Sequence, residues 1–355
     1  MKNSIAIIGG GPAGLSAAIR AAELGLKVIL YEKGKIGTGI RCAEGFIDTL
    51  GCLGKPESGV LFKVDNGIFF AGKAHFVSFS QDHGIWMIDR SIWQISLAKK
   101  AQALGVSIKE KFPIGKNQLS KLSDEYSYVI DASGAPSVTS RMYGFVPDYL
   151  NNAMLLAQYV IEGDFRFLGK NTLKASFETQ NFGYHYIFPK GNNIANVGVG
   201  QYHSSDKGTK TYLRKELDRI LKKERLDGYR IQRKISGFTP SLSVNRLIWG
   251  NILLVGDAAA LCSPLHGGGV DTACISGRIA AEIIASQKVD LYPISLWEVL
   301  GKKLVRENRI RRLWQFFGYP FIRFTFKFPS LIRSIFFSQQ SIQAILGLGS
   351  KRLFY

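Results

Sequence analysis

A glycine turn close to the N-terminus is the feature that most constrains how this chain can fold. The β-branched run Ser4 to Ile8 is typical of a buried strand, and Gly9-Gly10-Gly11-Pro12-Ala13-Gly14 follows it directly. An alanine-rich stretch after the turn predicts a helix. Gly9, Gly11 and Gly14 satisfy the spacing Gly-x-Gly-x-x-Gly, which permits a tight turn, close approach of backbone to a pyrophosphate, and helix-to-strand contact. The phosphate would lie on the helix N-terminus, where unpaired amides favour an anion.

An acidic residue after the next strand indicates which part of a nucleotide is bound. Lys27 to Tyr31 predicts a second strand, and Glu32 follows it. A carboxylate at this position can accept hydrogen bonds from both hydroxyls of an adenosine ribose and would repel a ribose 2′-phosphate. Strand, turn, helix, strand and acid together predict a dinucleotide-binding domain.

A second combination of strand and glycine turn bears on the choice between NAD and FAD. Residues 251–255 form another buried run, which leads into Gly256-Asp257 and then into Pro264-Leu265-His266-Gly267-Gly268-Gly269-Val270 and a predicted helix over about 271–286. A carboxylate after that strand can bind the ribityl chain of a flavin. Amides that open a helix can stabilise the negative charge at N1 and O2 of a reduced flavin, and here they belong to Gly268, Gly269 and Val270. Because a simple NAD dehydrogenase needs neither group, the predicted cofactor is FAD.

Composition is that of an ordinary globular protein. The chain has 355 residues, of which 46% are hydrophobic and 21% charged, so it is long enough for about two domains. Its 38 Gly and 11 Pro are scattered among ordinary residues, which excludes a disordered or collagen-like chain. The cysteines, Cys42, Cys52, Cys262 and Cys274, have neither the density of a disulfide scaffold nor the spacing of a zinc site. We therefore expect a reducing compartment and no metal, and we find no export signal or run long enough to span a membrane.

The C-terminal region carries more than half of the net positive charge. The formal net charge is +19, and residues 301–355 contain eleven Lys or Arg and twelve aromatic residues against Glu307 alone. Interleaved cations and aromatic rings suit the surface of an anionic membrane, where the rings enter the acyl boundary. Nucleic acid also attracts cations, and a basic helical cap with core aromatics is a third explanation. We expect peripheral contact with a membrane and no nucleic-acid partner.

These stretches together resemble the flavoprotein superfamily of p-hydroxybenzoate hydroxylase and, within it, the geranylgeranyl reductase family. Four pieces carry the resemblance, namely Gly9 to Gly14 with Glu32, then Arg41-Cys42-Ala43-Glu44-Gly45, then Asp89-Arg90, and Gly256-Asp257 with Pro264 to Val270. A fifth piece, Gly183 to Lys190 followed by Asn196 to Gly200, is similar to a family motif that usually has Trp at the position of Tyr186. The resemblance extends from residue 1 to about 290.

The resemblance implies a set of residues that contact FAD. The predicted set is Gly9, Gly11, Ala13, Gly14, Glu32, Arg41, Cys42, Ala43, Gly45, Arg90, Lys111, Gly134, Asp257, Pro264, Gly268, Gly269 and Val270. Lys111 is included because its backbone is expected to lie against the adenine. Arg90 can neutralise the pyrophosphate with two donors, although Asp89-Arg90 could instead merely cap the helix predicted over 91–104. Asp131, after the apolar strand Tyr128 to Ile130, is either a turn former or a ligand.

Three residues are candidates for catalysis, and each has a purely structural alternative. Cys42 follows Arg41 in a predicted loop and could donate a hydrogen bond, supply a proton to an alkene or serve as a small packing residue. His266 precedes the flavin glycines and could donate a proton or line the pocket. Tyr184 shares one face of a predicted strand with Tyr186 and Phe188, which would form either an aromatic wall of an apolar pocket or plain core.

The predicted fold is α/β with an α+β second domain. A Rossmann-like FAD-binding domain is assigned to residues 1–60, 85–140 and 240–290, an inserted antiparallel-sheet substrate domain that covers the flavin to 61–84 and 141–239, and a helical tail to 291–355. Within the insertion we predict strands at 157–162 and 195–200 and an amphipathic helix over 209–223. The tail is expected to break at Pro320 and Pro329.

The expected function follows from the resemblance. Reduced FAD would deliver hydride to one carbon of a prenyl double bond while an acid protonates the other, with alignment supplying much of the activation. Because no second dinucleotide motif follows residue 14, electrons would come from NAD(P)H in transient contact or from a reduced carrier protein. Two alternatives stay open, namely a flavin monooxygenase or halogenase that modifies an aromatic compound, and a membrane-surface flavoprotein that reduces quinone or a partner. We expect a cytoplasmic protein, peripheral at the inner face of the membrane.

Overall fold

The structure is a computed structural model that describes residues 4–79, 84–177, 179, 182–202 and 209–328. The chain forms two compact units. The first comprises residues 1–40, 90–154 and 238–309, and the second comprises residues 41–89, 155–237 and those from 310 onwards. Residues 41–60 thus belong to the second unit, whereas the sequence groups them with the nucleotide domain; the predicted domain limits stay a prediction.

Strands and helices alternate in the first unit, and strands dominate the second. The strands, in chain order, are β1 (Ser4–Ile8), β2 (Lys27–Tyr31), β3 (Gly45–Ile47), β4 (Val60–Lys63), β5 (Asn66–Phe70), β6 (Ala74–Ser78), β7 (Ile85–Ile88), β8 (Ser107–Lys109), β9 (Tyr128–Asp131), β10 (Met154–Glu162), β11 (Thr172–Ser176), β12 (Gly183–Pro189), β13 (Ile194–Tyr202), β14 (Arg230–Thr239), β15 (Ile248–Trp249) and β16 (Ile252–Leu254). The α-helices are α1 (Pro12–Glu23), α2 (Arg90–Ala103), α3 (Lys116–Glu125), α4 (Val138–Tyr143), α5 (Thr209–Lys223), α6 (Val270–Ala285), α7 (Tyr292–Leu296) and α8 (Lys302–Thr325).

The first unit is built on one sheet of order β15-β16-β9-β1-β2-β8. Its strands are parallel except at β15, which pairs antiparallel with β16. The central strand β1 is buried from Ile5 to Ile8, as expected for a strand with helices on both faces. The Rossmann-like prediction is therefore confirmed, and the carboxyl ends of β1, β2, β9 and β16 share one edge.

Two helices of this unit, α1 and α6, approach each other closely. A Cβ atom added to Gly277 would lie 2.2 Å from the carbonyl oxygen of Ala13, so only glycine allows this approach. Gly256 faces the same junction, because a Cβ there would lie 3.0 Å from the Cβ of Ala13. The contact holds the glycine turn before α1 and the turn before α6 in one rigid unit.

The second unit contains a larger mixed sheet and a smaller antiparallel one. The larger sheet has seven strands in the order β14-β10-β13-β12-β11-β5-β6. Strand β12 pairs antiparallel with β11 and β13, and β5 pairs antiparallel with β6, whereas β5 and β11 run parallel. The antiparallel prediction therefore holds for three of these four pairs. The smaller sheet joins β3 and β4 to β7, and this pairing brings residues 45–47 into the second unit.

Helix α5 covers one face of the larger sheet, as its apolar spacing predicts. Leu213, Leu217, Ile220 and Leu221 are all buried in a cluster with β10 and β13 side chains. Leu217 is fully buried, so its truncation to alanine would cost about 2–5 kcal/mol. The predicted strands at 157–162 and 195–200 are confirmed within β10 and β13.

The tail is helical as far as the structure describes it. Helix α8 is interrupted at Gly318, whose φ of 69° lies in the left-handed region, just before Pro320. The helix therefore breaks two residues before Pro320, close to the predicted position, while Pro329 lies outside the described residues. Among the described residues, no helix combines the length and the hydropathy that a membrane span needs.

Candidate active site

The glycine turn between β1 and α1 has the form that the motif predicts. Gly9 has a φ of +104°, and its amide donates to the carbonyl of Tyr31 at 2.7 Å. A Cβ at Gly14 would lie 1.9 Å from the carbonyl oxygen of Gly9, so glycine is required there. At Gly11, by contrast, no described atom lies within 4 Å of an added Cβ, and Ala13 lies buried in the first turn of α1. The turn therefore leaves open space before a helix N-terminus, which is what a pyrophosphate needs.

Glu32 is fixed at the edge of the sheet by two backbone amides. Its Oε2 accepts a hydrogen bond from Gly10 at 2.7 Å, and its Oε1 accepts one from Gly34 at 2.9 Å. A carboxylate has about four acceptor sites, so each oxygen keeps capacity for a ribose hydroxyl. The Lys111 amide donates to the carbonyl of Gly34 at 2.9 Å, and its φ of 55° turns the chain beside this loop.

One residue that supports the turn has no signal in the sequence. The Nε2 of Gln94, a buried residue of α2, donates to the carbonyl of Gly10 at 3.1 Å. Glutamine in the middle of a helix carries no motif, and only the position of α2 beside the turn makes its role visible.

Asp131 is a turn former. It is fully buried, and its carboxylate accepts hydrogen bonds from the amides of Ser133 at 3.0 Å and Thr139 at 2.8 Å. Hydroxyls of the same two residues also donate to it. Gly134, with a φ of 84°, lies in this turn and faces open space. The alternative that Asp131 binds a ligand directly finds no support in this arrangement.

Asp257 is partly exposed, and its surroundings act on its pKa in opposite directions. Burial raises the pKa of its carboxyl, and a hydrogen bond from the Cys262 thiol at 3.2 Å and the positive charge of Arg90 oppose that rise. Burial also raises the pKa of the Cys262 thiol, which keeps the thiol protonated as a donor. Arg90 is the first residue of α2, so it lies at the helix start and acts electrostatically on Asp257.

The backbone amides of the turn before α6 differ in their hydrogen bonding. The Gly268 amide donates to the Nδ1 of His266 at 3.2 Å. This differs from the expectation that all three amides are available, because the imidazole already occupies one of them. Gly269 and Val270, at the N-terminus of α6, have no backbone or side-chain acceptor among the described residues. These two amides can therefore stabilise negative charge on a group bound at the helix N-terminus. Pro264 is buried at the start of the turn.

A group of buried charges acts on His266. Lys303 Nζ lies 3.4 Å from Glu307 Oε1 and 4.0 Å from Asp271 Oδ2, and all three residues are buried. Burial lowers the pKa of Lys303, but the two carboxylates outweigh it and the net shift is upward. Burial lowers the pKa of His266, with Glu307 opposing the change. Neither Lys303 nor Glu307 is marked by any motif, although their spacing of four residues on a helix is typical of an ion pair.

In the second unit, the loop with Cys42 is held by its own backbone and by the sheet. The Cys42 sulfur accepts a hydrogen bond from the amide of Glu44 at 3.2 Å, and Glu44 has a φ of 65°. Cys42 and Ala43 are partly exposed, and Arg41 is exposed. A Cβ on Gly45 would lie 3.4 Å from the ring of Phe188, so a larger residue there would crowd that ring.

The aromatic side chains of β12 form a continuous row. Ring centroids are 6.0 Å apart between Tyr184 and Tyr186 and 4.8 Å apart between Tyr186 and Phe188, which confirms the predicted shared face. Burial raises the pKa of both tyrosines, so both phenols keep their protons at neutral pH. His185 points the other way, and its Nε2 lies 3.0 Å from Glu224 Oε1.

The described part of the tail contributes both to core and to surface. Trp314 and Phe326 are buried, and their rings pack on Phe177 at 5.7 and 4.8 Å. Lys303 and Arg311 are buried too, so these two cations are not part of the exposed surface of the tail. Among the described residues no cluster of His, Cys, Asp or Glu has a geometry that could hold a metal ion.

Residues 4–64 match the family model described as an FAD binding domain. The chain is 31% identical over 309 residues to digeranylgeranylglycerophospholipid reductase 1 of Methanopyrus kandleri, with 80% of each chain covered. It is also 31% identical to the digeranylgeranylglycerophospholipid reductase of Methanocaldococcus jannaschii over 307 residues, covering 81% of this chain and 78% of the relative.

Solved structures share the fold over nearly the whole chain. A geranylgeranyl bacteriochlorophyll reductase-like protein from Thermoplasma acidophilum has a TM-score of 0.80 at 22% identity and covers 97% of this chain and 98% of its own. The flavin-dependent halogenase CmlS has a TM-score of 0.66 at 21% identity and covers 86% of this chain and 62% of its own. The fold alone is therefore common to reductases and halogenases.

The Rossmann-like unit and its two glycine turns define an FAD-dependent oxidoreductase. The residues present fit that cofactor. There is open space at Gly11 for a pyrophosphate, two amides at the start of α6 can face the flavin ring, and the half-buried Asp257 can accept hydrogen bonds from the ribityl chain. The chain belongs to the digeranylgeranylglycerophospholipid reductase family.

Proposed function

We propose that this protein saturates carbon–carbon double bonds in the prenyl chains of a lipid. The observation that carries the proposal is the 31% identity to relatives named digeranylgeranylglycerophospholipid reductase, which extends over 80% of the chain. The halogenase shares the fold without that level of sequence identity.

Cofactor binding is assigned to the two turns of the first unit. The amides before α1 would hold the pyrophosphate, and Glu32 would accept from the adenosine ribose. Arg90 offers a guanidinium for the phosphates, Asp257 offers an acceptor for the ribityl chain, and the two free amides of α6 would stabilise negative charge on the ring. When bound, FAD supplies the hydride equivalent for the reduction. The family resemblance adds Arg41, Cys42, Ala43 and Gly45 to this set.

The second requirement is a proton for the other alkene carbon. Because burial lowers the pKa of His266, its imidazole is neutral at pH 7, and because Nδ1 accepts from Gly268, the ring proton is on Nε2. The Nε2–H group of His266 is therefore a candidate proton donor. The protonated phenol of Tyr184 and the thiol of Cys42 are the other candidates.

The aromatic row of β12 supplies a surface on which an apolar chain can lie. Tyr184 and Phe188 are partly exposed, and Tyr186 between them is buried. An isolated alkene has no charge for an enzyme to recognise, so shape and apolar contact must align it. Electrons would come from NAD(P)H in transient contact or from a reduced carrier protein.

Peripheral membrane contact is proposed for the exposed side of the tail. We call this the tail surface, and it comprises Arg312, Leu313, Phe316, Phe317, Arg323, Phe324, Lys327 and Phe328, all of which are exposed. The two halves repeat one spacing on either side of Gly318, and residues 308–328 contain no acidic residue. Cations beside exposed rings complement an anionic bilayer surface, where a prenyl lipid would be found.

The decisive experiment incubates the FAD-loaded, chemically reduced protein with a digeranylgeranylglycerophospholipid without oxygen and follows the lipid by mass spectrometry. The expected result is a gain of two hydrogens for each bond reduced. Oxygen is omitted because a monooxygenase or halogenase would need it. An unchanged lipid mass together with rapid reduction of a quinone would instead support the alternative of a membrane-surface electron carrier.

A further inference from the structure

Tyr186 reaches across one strand to bond with the next. Its hydroxyl donates to the Oε1 of Gln158 at 2.7 Å, although β13 lies between their strands β12 and β10. The bridge is possible because Gly198, the register partner of Tyr186 on β13, has no side chain. A Cβ at that glycine would lie 2.3 Å from the phenol oxygen.

Gln158 in turn forms a hydrogen bond with the loop that carries Cys42. Its Nε2 lies 3.2 Å from the carbonyl oxygen of Cys42 and 3.1 Å from the Oδ1 of Asn196. Asn196 continues the network, because its Nδ2 donates to the carbonyl of Ala43 at 2.9 Å and to the Oε2 of Glu44 at 3.1 Å. Both amide side chains are buried, at 4% and 0% exposure, so water does not compete for these bonds.

Glu44 closes the network on the other side of the loop. Its carboxylate pairs with Lys190 at 2.8 Å, and its carbonyl accepts from the amide of Ile88 at 3.0 Å. These contacts hold Glu44 in the left-handed region, which a glutamate rarely adopts. In that conformation its amide points at the Cys42 sulfur.

The hydrogen bonds to the loop fix consecutive peptide groups. Two successive carbonyls, those of Cys42 and Ala43, are each taken by a buried amide side chain, and the next amide is aimed at the thiol. A loop fixed at consecutive peptide groups has little freedom to rotate the side chain that they carry.

We propose that Gln158 and Asn196 are positioning residues that fix the backbone of residues 42–44, and thereby the thiol of Cys42, with Tyr186 holding Gln158 in place. They touch neither substrate nor cofactor in this role. The network also gives a reason for tyrosine at the position where the family motif usually has Trp, because the phenol supplies an oxygen that can donate to Gln158.

The test measures the loop directly in the FAD-loaded protein, without lipid substrate. Gln158→Met and Asn196→Leu keep similar side-chain volume and remove the donors. We expect hydrogen–deuterium exchange of peptides covering 41–47 to become at least fivefold faster in both variants. In a Cys52→Ser background, alkylation of Cys42 by iodoacetamide should also become at least fivefold faster.

Tyr186→Phe is the milder variant and should give a smaller acceleration in the same direction. The matched control is Tyr149→Phe, which removes another buried hydroxyl that donates to the Ala258 carbonyl at 2.7 Å in the first unit. This control should lower the melting temperature without accelerating either readout at the loop.

Unchanged exchange at 41–47 in both Gln158→Met and Tyr186→Phe would overturn the proposal, as would an equal acceleration in the Tyr149→Phe control. Should Gln158→Met fail to fold, Tyr186→Phe still decides. Neither readout depends on prenyl reduction, so a failure here is distinguishable from a failure of the proposed function.

Discussion

The Nδ1 atom of His266 and the amide nitrogen of Gly268 lie 3.2 Å apart in the turn that leads into α6. A backbone amide can only donate, so Nδ1 must be the acceptor, and the neutral ring carries its proton on Nε2. The same contact uses one of the amides that could otherwise face a flavin. The turn thus fixes the orientation of the His266 ring, which is a candidate acid. It also leaves two amides, those of Gly269 and Val270, for the cofactor.

If His266 is the acid, His266→Gln lowers kcat and leaves KM within about twofold. The loss should be on the order of 10²-fold, the usual contribution of a positioned general acid. Steady-state kinetics of prenyl reduction measures both constants. His75→Gln, a change at a partly buried histidine of β6, is the matched control and should leave both constants alone. An unchanged kcat in His266→Gln would mean that the imidazole only lines the site.

Glu32→Arg should abolish FAD binding. The substitution removes the acceptor that fixes Gly10 and Gly34 and places a cation where the ribose hydroxyls would donate. The ratio of flavin to protein, read from visible absorbance after purification, checks it. Glu23→Arg makes the same charge change at an exposed position of α1 and should keep full loading. A yellow, fully loaded Glu32→Arg protein would contradict the role assigned to this carboxylate.

Much of the first unit could be predicted because its signals are local. The β1 turn, the following helix and Glu32 lie within thirty-two residues, and a Cβ at Gly14 would clash with the carbonyl of Gly9 in the same turn. The role of Asp131 could not be predicted, because it depends on residues outside its own strand. Whether a carboxylate after a strand binds a ligand or closes a turn depends on which hydroxyls surround it, and Thr139 is on the following helix.

The supporting residues could not be predicted, because their roles arise from contacts across strands. Gln158 lies on β10, Asn196 on β13 and Lys190 just after β12, and nothing in the sequence shows that their side chains meet at one loop. Lys303 and Glu307 are charged residues of the basic tail, and packing buries both of them. Such burial is decided by tertiary structure, on which composition gives no information.

Acidification should destabilise the protein between pH 7 and pH 5, in part through His185. Burial lowers the pKa of this fully buried imidazole, and the bond to Glu224 only partly compensates. The unfolded chain therefore binds the proton first as the pH falls below about 6.5, and the free energy of unfolding falls with it. For Glu224, burial raises the pKa, but His185 and Lys174 outweigh it and the pKa is about 2. Its own contribution is retained until the pH falls below about 4.5.

Melting temperatures from pH 7 to pH 5 test this assignment. His185→Gln should flatten the decrease, and His266→Gln should flatten it further because burial lowers that pKa as well. Each pH unit by which a histidine pKa lies below its ordinary value contributes about 1.4 kcal/mol once the pH is below both values. An undiminished decrease in the double variant would show that other groups control the acid sensitivity.

Replacing rings on the tail surface should weaken binding to anionic vesicles. Phe316 is 83% exposed and Phe317 is 52% exposed, so a Phe316→Ser, Phe317→Ser variant loses apolar surface without emptying the core. Each buried ring contributes about 1.5–3 kcal/mol when it leaves water, which predicts at least a tenfold weaker partition for the pair. Cosedimentation with vesicles containing phosphatidylglycerol measures the partition, and high salt should weaken what remains, because the cations of the tail surface are screened.

The control for the membrane prediction is an exposed aromatic outside the tail. Phe76 on β6 is 76% exposed, so Phe76→Ser removes a similar ring from the surface of the same unit. It should leave vesicle binding unchanged if the tail surface is the docking site. Equal binding of all three proteins at low salt would show that the tail acts only as a cap, with Trp314 and Phe326 packed on Phe177 as its structural contribution.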